Sequence, residues 1–324
     1  MQSAPTGRRA NEPAVAAGDV LGGRWRVTKK LGQGGMGAVY EAEHVDNGRR
    51  AAVKVMLPTL ASEGGYRQMF AREALVDNAV DAASRPPAPA GPGAVQVYDS
   101  GETRDGSPFV VMELLQGKPV DHALRSGLRD PGFVRVVLDE GLGVLEGAHD
   151  QGIVHRDLKP ENMFVTDGLH VHVLDWGLAQ LPGDGAWLGS PSGTLGYAPP
   201  EQVVGLPATP ASDVWGMGAT AYALSTGRLP VGPDRQVAYL EKLDTGALRD
   251  FSDQIRGVED FDLAALGCPV PPIRSVAPDT PPDLARVIDR ALQCRPEDRY
   301  PDARAMREDL LRAVDEELAR QRRP

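Results

Sequence analysis

One short stretch, His155-Arg156-Asp157-Leu158-Lys159-Pro160-Glu161-Asn162, gathers a candidate proton acceptor, a cation and a metal-binding amide. An apolar run follows it, and then Asp175-Trp176-Gly177. So dense a polar cluster is rarely a packing solution, because buried polar groups cost free energy unless paired. Phosphoryl transfer would use such a set. It needs a carboxylate to orient and deprotonate the attacking hydroxyl, cations to neutralise the transferring group, and oxygen ligands for magnesium. Asp157 reads as a turn residue or as that base. Asn162 reads as a cap or, with Asp175, as a magnesium ligand.

Two upstream features bear on the same chemistry. Gly32-Gln33-Gly34-Gly35-Met36-Gly37 fits G-x-G-x-x-G, a weak signal alone in a chain with 37 glycines among 324 residues. Its context is strand–loop–strand, whereas a dinucleotide-binding fold needs strand–loop–helix. A hairpin lacking side chains can close over phosphate oxygens and offer backbone N–H donors. Lys54 lies inside an apolar strand. It reads as a strand-edge lysine with its head in water or as a cation for phosphate. Glu73, nineteen positions on, reads as a helix-edge carboxylate reaching water or as the partner of Lys54.

The elements that must position these residues come in two styles. Trp25 to Leu31, Ala38 to Tyr40 and Ala51 to Val55, separated by the glycines and by Asn47-Gly48, predict an antiparallel meander. Tyr66 to Val80 has helical spacing, with Glu73 on the face of Met69 and Phe70. Val95 to Tyr98 and Phe109 to Met112 read as two more strands, and Gln116-Gly117 ends the β-rich half. Asp130-Pro131 starts a helix that runs to His149. Phe164-Val165 and Val171 to Leu174 form a small hairpin. Asp213 to Thr226 is apolar nearly all round, as a buried central helix is. Leu284 to Leu292 and Ala303 to Leu318 are amphipathic. The fold class is therefore α+β, a small β-rich lobe (about 19–115) joined to a larger helical lobe (about 116–316). A disordered tail over 1–18 and a short tail over 317–324 flank it.

Five motifs appear in order: Gly32 to Val39, Ala51-Ala52-Val53-Lys54, His155 to Asn162, Asp175-Trp176-Gly177 and Pro199-Pro200-Glu201. In this set the chain resembles the eukaryotic-type serine/threonine protein kinases found in bacteria, from about Leu21 to Arg312. The resemblance implies a two-lobed fold that uses ATP and Mg2+ to phosphorylate Ser and Thr hydroxyls of proteins, itself included. It implies that Gly32, Gly34 and Gly37 cover the ATP phosphates and that Lys54 contacts them, held by Glu73. Leu31, Val39, Ala52, Met112, Glu113, Leu115 and Phe164 complete the nucleotide site. Asp157 would be the base, Lys159 would neutralise the γ-phosphate, and Asn162 and Asp175 would bind magnesium. Lys159 and Thr194 match the serine/threonine branch. Asp213 would brace the catalytic loop, and Glu201 and Arg299 would pair. Arg156 would read a phosphate on Ser190 or Ser192. The alternative is an ATP-binding scaffold without transferase activity.

The chain departs from the family at Trp176, where Phe is usual, at Pro199, and at Asp77, where an apolar residue is usual. The stretches 85–93 and 244–282 look like insertions. Net charge is −10, which argues against a nucleic-acid footprint. No run approaches a transmembrane length. Cys268 and Cys294 are the two cysteines. They read as reduced thiols in a cytoplasmic protein. The oligomeric state stays open between a monomer and a transient homodimer for autophosphorylation.

Overall fold

The computed structural model describes residues 13–62, 64–84, 93–182, 193–232, 234, 236, 237 and 268–321. They belong to two compact units, Met1–Ala79 with Val95–Gln116, and Val80–Ala94 with Gly117–Pro324. Ser190, Ser192, residues 85–92 and residues 244–267 lie outside the described residues. Among those described, no helix is long and apolar enough to cross a membrane.

The first unit is built on an antiparallel sheet. Its strands are β1 (Val20–Leu21), β2 (Trp25–Gln33), β3 (Gly37–His44), β4 (Arg50–Met56), β5 (Val97–Glu102) and β6 (Pro108–Glu113), in the order β1-β2-β3-β4-β6-β5. The β3–β4 turn is Asn47-Gly48, with Gly48 at φ 70° and the Asn47 side-chain Oδ1 accepting the Arg49 N–H at 2.9 Å. Alternation along the strands then sorts the faces. Trp25, Val27, Tyr40, Val53, Val55, Phe109 and Val111 form one core, and the Trp25 indole N–H is satisfied by Asp99 at 3.0 Å. Met56 and Val110 face the other way and pack with Phe70, which sits on α2 (Gly64–Ser84), after the short α1 (Pro58–Ala61). Among the described side chains of α2 the buried positions are Phe70, Glu73, Val76, Asp77 and Val80, one helical stripe that carries two carboxylates. The helix outruns the expected Tyr66 to Val80 at both ends.

Of the tail expected over 1–18, residues 1–12 lie outside the described residues, and its last part is docked rather than loose. Val15 is buried, and the Gly18 N–H bonds to the Val27 carbonyl at 2.8 Å. The chain thus joins the sheet before β1, because one apolar residue and one backbone bond suffice to dock it.

The second unit carries α3 (Asp121–Ser126), α4 (Pro131–Asp150), α5 (Pro200–Val203), α6 (Pro210–Thr226), α7 (Ile273–Val276), α8 (Pro282–Ala291) and α9 (Ala303–Gln321). A sheet of β7 (Gly117–Pro119), β8 (Met163–Thr166) and β9 (Val171–Val173) completes it. Asp130 caps α4 as expected, accepting the Gly132 and Phe133 N–H groups at 3.1 and 3.2 Å. Every residue of α6 from Ala211 to Leu224 is buried. The close approach requires Gly216, since a Cβ there would stand 2.7 Å from Leu158 Cβ in the polar stretch. The β7 strand was not expected, because Gln116-Gly117 reads as a boundary. The boundary holds, but Gly117 also opens a new ladder, pairing with Thr166. The last helix runs to Gln321, three residues beyond the expected Leu318.

Cys268 and Cys294, expected as two reduced thiols, are joined in a disulfide. They are 26 residues apart, and the intervening α7 and α8 return the chain so that the Cα atoms lie 5.9 Å apart. That separation is within the span a disulfide requires.

Candidate active site

The polar stretch is suspended from α6. Asp213, almost wholly buried, accepts the Arg156 N–H with Oδ1 at 2.9 Å and the His155 N–H with Oδ2 at 2.8 Å. His149 Nε2 lies 3.0 Å from Oδ2. Its Nδ1 accepts the Ala303 N–H at 3.2 Å, so Nε2 carries the hydrogen and donates to Asp213. Arg156 takes a left-handed backbone at φ 74°. Both its peptide groups are fixed, the N–H by Asp213 and the carbonyl by Gln202 Nε2 at 2.8 Å. Such backbone strain persists where neighbours over-determine it, and here Asp213 and Gln202 hold it on the residue before Asp157.

Asp157 gathers its partners tightly. Thr194 Oγ1 donates to Oδ1 at 2.7 Å. Lys159 Nζ donates to Oδ2 at 2.8 Å and to Thr194 Oγ1 at 2.6 Å. Asn162 Nδ2 donates to Oδ2 at 3.1 Å and to the Asp157 carbonyl at 2.9 Å, which leaves its amide oxygen facing away from the aspartate. The Asn162 carbonyl accepts the Leu174 N–H at 2.8 Å. Next in the chain, Asp175 sits at φ 64°. Trp176 is completely buried. Its indole donates to the Val173 carbonyl at 3.0 Å, and its ring meets His155 edge-on with centroids 4.6 Å apart. The bulkier aromatic therefore has a shaped pocket and a satisfied N–H. His155 accepts the Asp157 N–H at Nδ1, 3.2 Å, and donates from Nε2 to the Leu174 carbonyl at 2.9 Å, so its role is structural.

The segment after Asp175 ends in a second buried anchor. Glu201 and Arg299 form a two-pronged pair at 2.7 and 2.9 Å. Ser212 Oγ adds a bond to Glu201 at 2.9 Å. The remaining Arg299 donors reach the carbonyls of Gln293, Ala211 and Cys294 at 2.7, 3.2 and 2.9 Å. Pro199 precedes α5 without disturbing this pair. Tyr197 is buried, and burial, with Glu161 and Asp121 adding to it, pushes its phenol above the ordinary range.

In the first unit Lys54 Nζ contacts both Glu73 oxygens at 2.6 and 2.7 Å. Neither side chain reaches into water as a strand-edge or helix-edge charge would, with exposures of 14% and 9%. Val39 faces Lys54 across the β3–β4 ladder, and Ala52 faces Met112 across β4–β6. All four therefore share the sheet face opposite Val53 and Val55. Glu113 and Leu115 follow Met112 and are half-buried, and Leu31 is exposed at the start of the glycine loop. Phe164 lies on β8 in the second unit, opposite His172. The glycines divide by cause. A Cβ on Gly37 would stand 2.5 Å from the Val55 carbonyl, so the strand requires that glycine. Cβ atoms on Gly32, Gly34 and Gly35 would meet nothing within 4 Å. Their bareness answers no need of the protein's own packing, and it fits a loop that must admit phosphate oxygens.

Sequence reasoning missed His149, Gln202 and Gln236. Each is a single polar residue whose partners lie far along the chain, and all three bond backbone atoms, which leave no residue-type signature. Among the described residues no group of three or more His, Cys, Asp or Glu could hold a metal unaided. A magnesium site of one carboxylate and one amide needs no such group, since phosphate and water oxygens fill the rest.

The model of the protein kinase domain matches residues 25–311. The chain is 35% identical to the serine/threonine-protein kinase Pkn1 of Myxococcus xanthus over 96% of its own length and 42% of that protein's. It is 33% identical to the serine/threonine-protein kinase PknA of Mycobacterium tuberculosis, over 87% of this chain and 59% of that one. The chain thus spans less than two thirds of the length of these relatives. The PknI kinase domain of Mycobacterium tuberculosis superposes with a TM-score of 0.63 at 24% identity, covering 93% of this chain and all of that one. That likeness establishes the two-lobed kinase fold.

Proposed function

Because the chain belongs to the protein kinase domain family, we propose that it transfers the γ-phosphate of ATP to Ser and Thr hydroxyls of proteins. The observation that carries this reading is the triangle of Asp157, Lys159 and Thr194, each within 2.8 Å of the other two. In it a carboxylate and an ammonium share a hydroxyl held where an incoming hydroxyl would bind.

The roles follow from the chemistry. Asp157 orients the substrate hydroxyl and accepts its proton as the oxygen bonds to the γ-phosphorus. The bond from that phosphorus to the β–γ bridging oxygen breaks, and ADP leaves. Lys159 neutralises charge on the transferring group. Asn162 and Asp175 would hold magnesium, which when bound supplies Lewis-acid stabilisation of the phosphate oxygens. The bare loop at Gly32, Gly34 and Gly35 leaves room for the phosphate oxygens, and Lys54, locked by Glu73, supplies the fixed cation. We read 19–316 as the body of this catalytic domain, with the docked segment from Val15 and the end of the last helix attached to it. Substrates are proteins rather than nucleic acid, and reliance on ATP favours a cytoplasmic setting, in which the Cys268–Cys294 disulfide has to withstand reduction.

The test is transfer of labelled γ-phosphate to a generic basic protein and to the chain itself. Wild type should label serine and threonine, and Lys54→Met and Asp157→Asn should lose transfer by roughly a hundredfold or more. Equal labelling in wild type and Asp157→Asn would refute the assignment.

A further inference from the structure

The five residues Thr194 to Ala198 form a strap whose first side chain is shared by Asp157 and Lys159. The Thr194 carbonyl accepts the Tyr197 and Ala198 N–H groups at 3.0 and 2.9 Å, which closes a turn. Gly196 stands inside that turn at φ 89°, with its own N–H directed out of it. A Cβ there would come within 2.8 Å of Leu229 Cδ1. One distant side chain completes the strap. Gln236, ten residues beyond the end of α6 and 1% exposed, accepts the Gly196 N–H with Oε1 at 2.6 Å. Its Nε2 donates to the Ala198 carbonyl at 3.3 Å. A single carboxamide thus satisfies a donor and an acceptor on the same short stretch of backbone. Buried polar groups of this kind cost free energy when orphaned, so the strap's shape depends on this residue.

We infer that Gln236 is a positioning residue that fixes the Thr194–Ala198 strap as the docking edge for the polypeptide substrate. The inference rests on the kinase reading above. A substrate hydroxyl must lie at Asp157, next to Thr194. An extended chain advances about 3.3–3.6 Å per residue, so the residues flanking that hydroxyl must pass along the strap. Gln236 bonds the strap's backbone and is not part of the Asp157–Lys159–Thr194 triangle. It acts through the backbone of Gly196 and Ala198, and its loss should affect the polypeptide far more than the nucleotide.

The test uses Gln236→Met, close in shape and unable to bond, and Gln236→Glu, which keeps the acceptor for Gly196 but sets an oxygen against the Ala198 carbonyl. In Gln236→Met, amide exchange across 194–198 should quicken about tenfold. The KM for a serine- or threonine-containing peptide should rise about tenfold while the KM for ATP and the peptide-free hydrolysis of ATP stay as in wild type. Gln236→Glu should fall between the two, and it stands in if the methionine variant does not fold. An unchanged peptide KM, an unchanged exchange rate, or an ATP KM that rises in step with the peptide KM overturns the inference. A wild-type chain that phosphorylates no polypeptide overturns the kinase reading first, and this inference with it.

Discussion

Replacing Asp213 by asparagine changes one oxygen to an NH2 group and removes a charge, with almost no change in shape. Asp213 accepts from three donors, the N–H groups of His155 and Arg156 and the Nε2–H of His149. The amide nitrogen will settle on the Oδ1 side, where it orphans one donor, the Arg156 N–H, whereas the Oδ2 side would orphan two. Hydrogen bonds to a charged group contribute about 1.5–3 kcal/mol, and a buried orphan costs about 1–3 kcal/mol. The two surviving bonds also weaken as the acceptor becomes neutral. The expected loss is about 3–5 kcal/mol, a large part of the roughly 5–15 kcal/mol that holds a domain together. It should lower Tm by about 10 °C. The kinetic effect should be larger than stability alone predicts. Arg156 is the residue before Asp157, and a displacement of about 1 Å at a catalytic group can cost a hundredfold. Differential scanning calorimetry and peptide phosphorylation on the same Asp213→Asn preparation, assayed below its melting range, check both halves. A variant with wild-type Tm and wild-type kcat would refute the claim that α6 carries the loop through this side chain.

Four further outcomes are expected. Gly37→Ala should destabilise the first unit by roughly 1–3 kcal/mol, as overpacking does, because its Cβ meets the Val55 carbonyl. Gly34→Ala should leave Tm unchanged and raise the KM for ATP several-fold, and a parallel loss of stability in both variants would remove the distinction. Thiol titration of the denatured chain purified without reductant should find no free thiol. Reduction should then expose both and lower stability by about 3.5 kcal/mol, from closure of a loop spanning 26 residues; two thiols from the outset would overturn the bridge. Burial pulls the Asp309 carboxyl up, but hydrogen bonds from Arg286 and Tyr300 prevail and hold it below the ordinary value. A carboxyl depressed in the folded state stabilises above its unfolded pKa of about 3.9 and loses that contribution as pH falls through the folded pKa. The Tm gap between wild type and Asp309→Asn should therefore be full at neutral pH and narrow below about pH 4. A gap independent of pH would refute the linkage.

What the sequence made legible were residues tied to one another by short spacing. Asp157, Lys159 and Asn162 sit within six positions, and the loop geometry that joins them is local. Glu73 was placed on the face of Phe70 by helical period alone, and both are buried there. The same period left Asp77 unexplained, and its burial on that stripe shows that the departure lies on an inward-facing position. The illegible parts are long-range. Nothing near Cys268 points to Cys294, because the return through α7 and α8 is a tertiary fact. Gln202 and Gln236 bond carbonyls and N–H groups that every residue possesses, so no pattern of residue types could mark them. Gly117 read as punctuation because a strand of three residues is too short to show alternation.

The Arg299 fork has a consequence for how this part of the molecule opens. Its five bonds reach acceptors on Glu201, Ala211, Gln293 and Cys294, three separate stretches of chain converging on one guanidinium. None of those stretches can fray alone, because lifting any one away strands a buried charged donor. They should open together as one cooperative unit. Amide exchange at α5, at the start of α6 and after α8 should then report one shared opening free energy, and a ligand that orders the segment before Glu201 should slow exchange at all three.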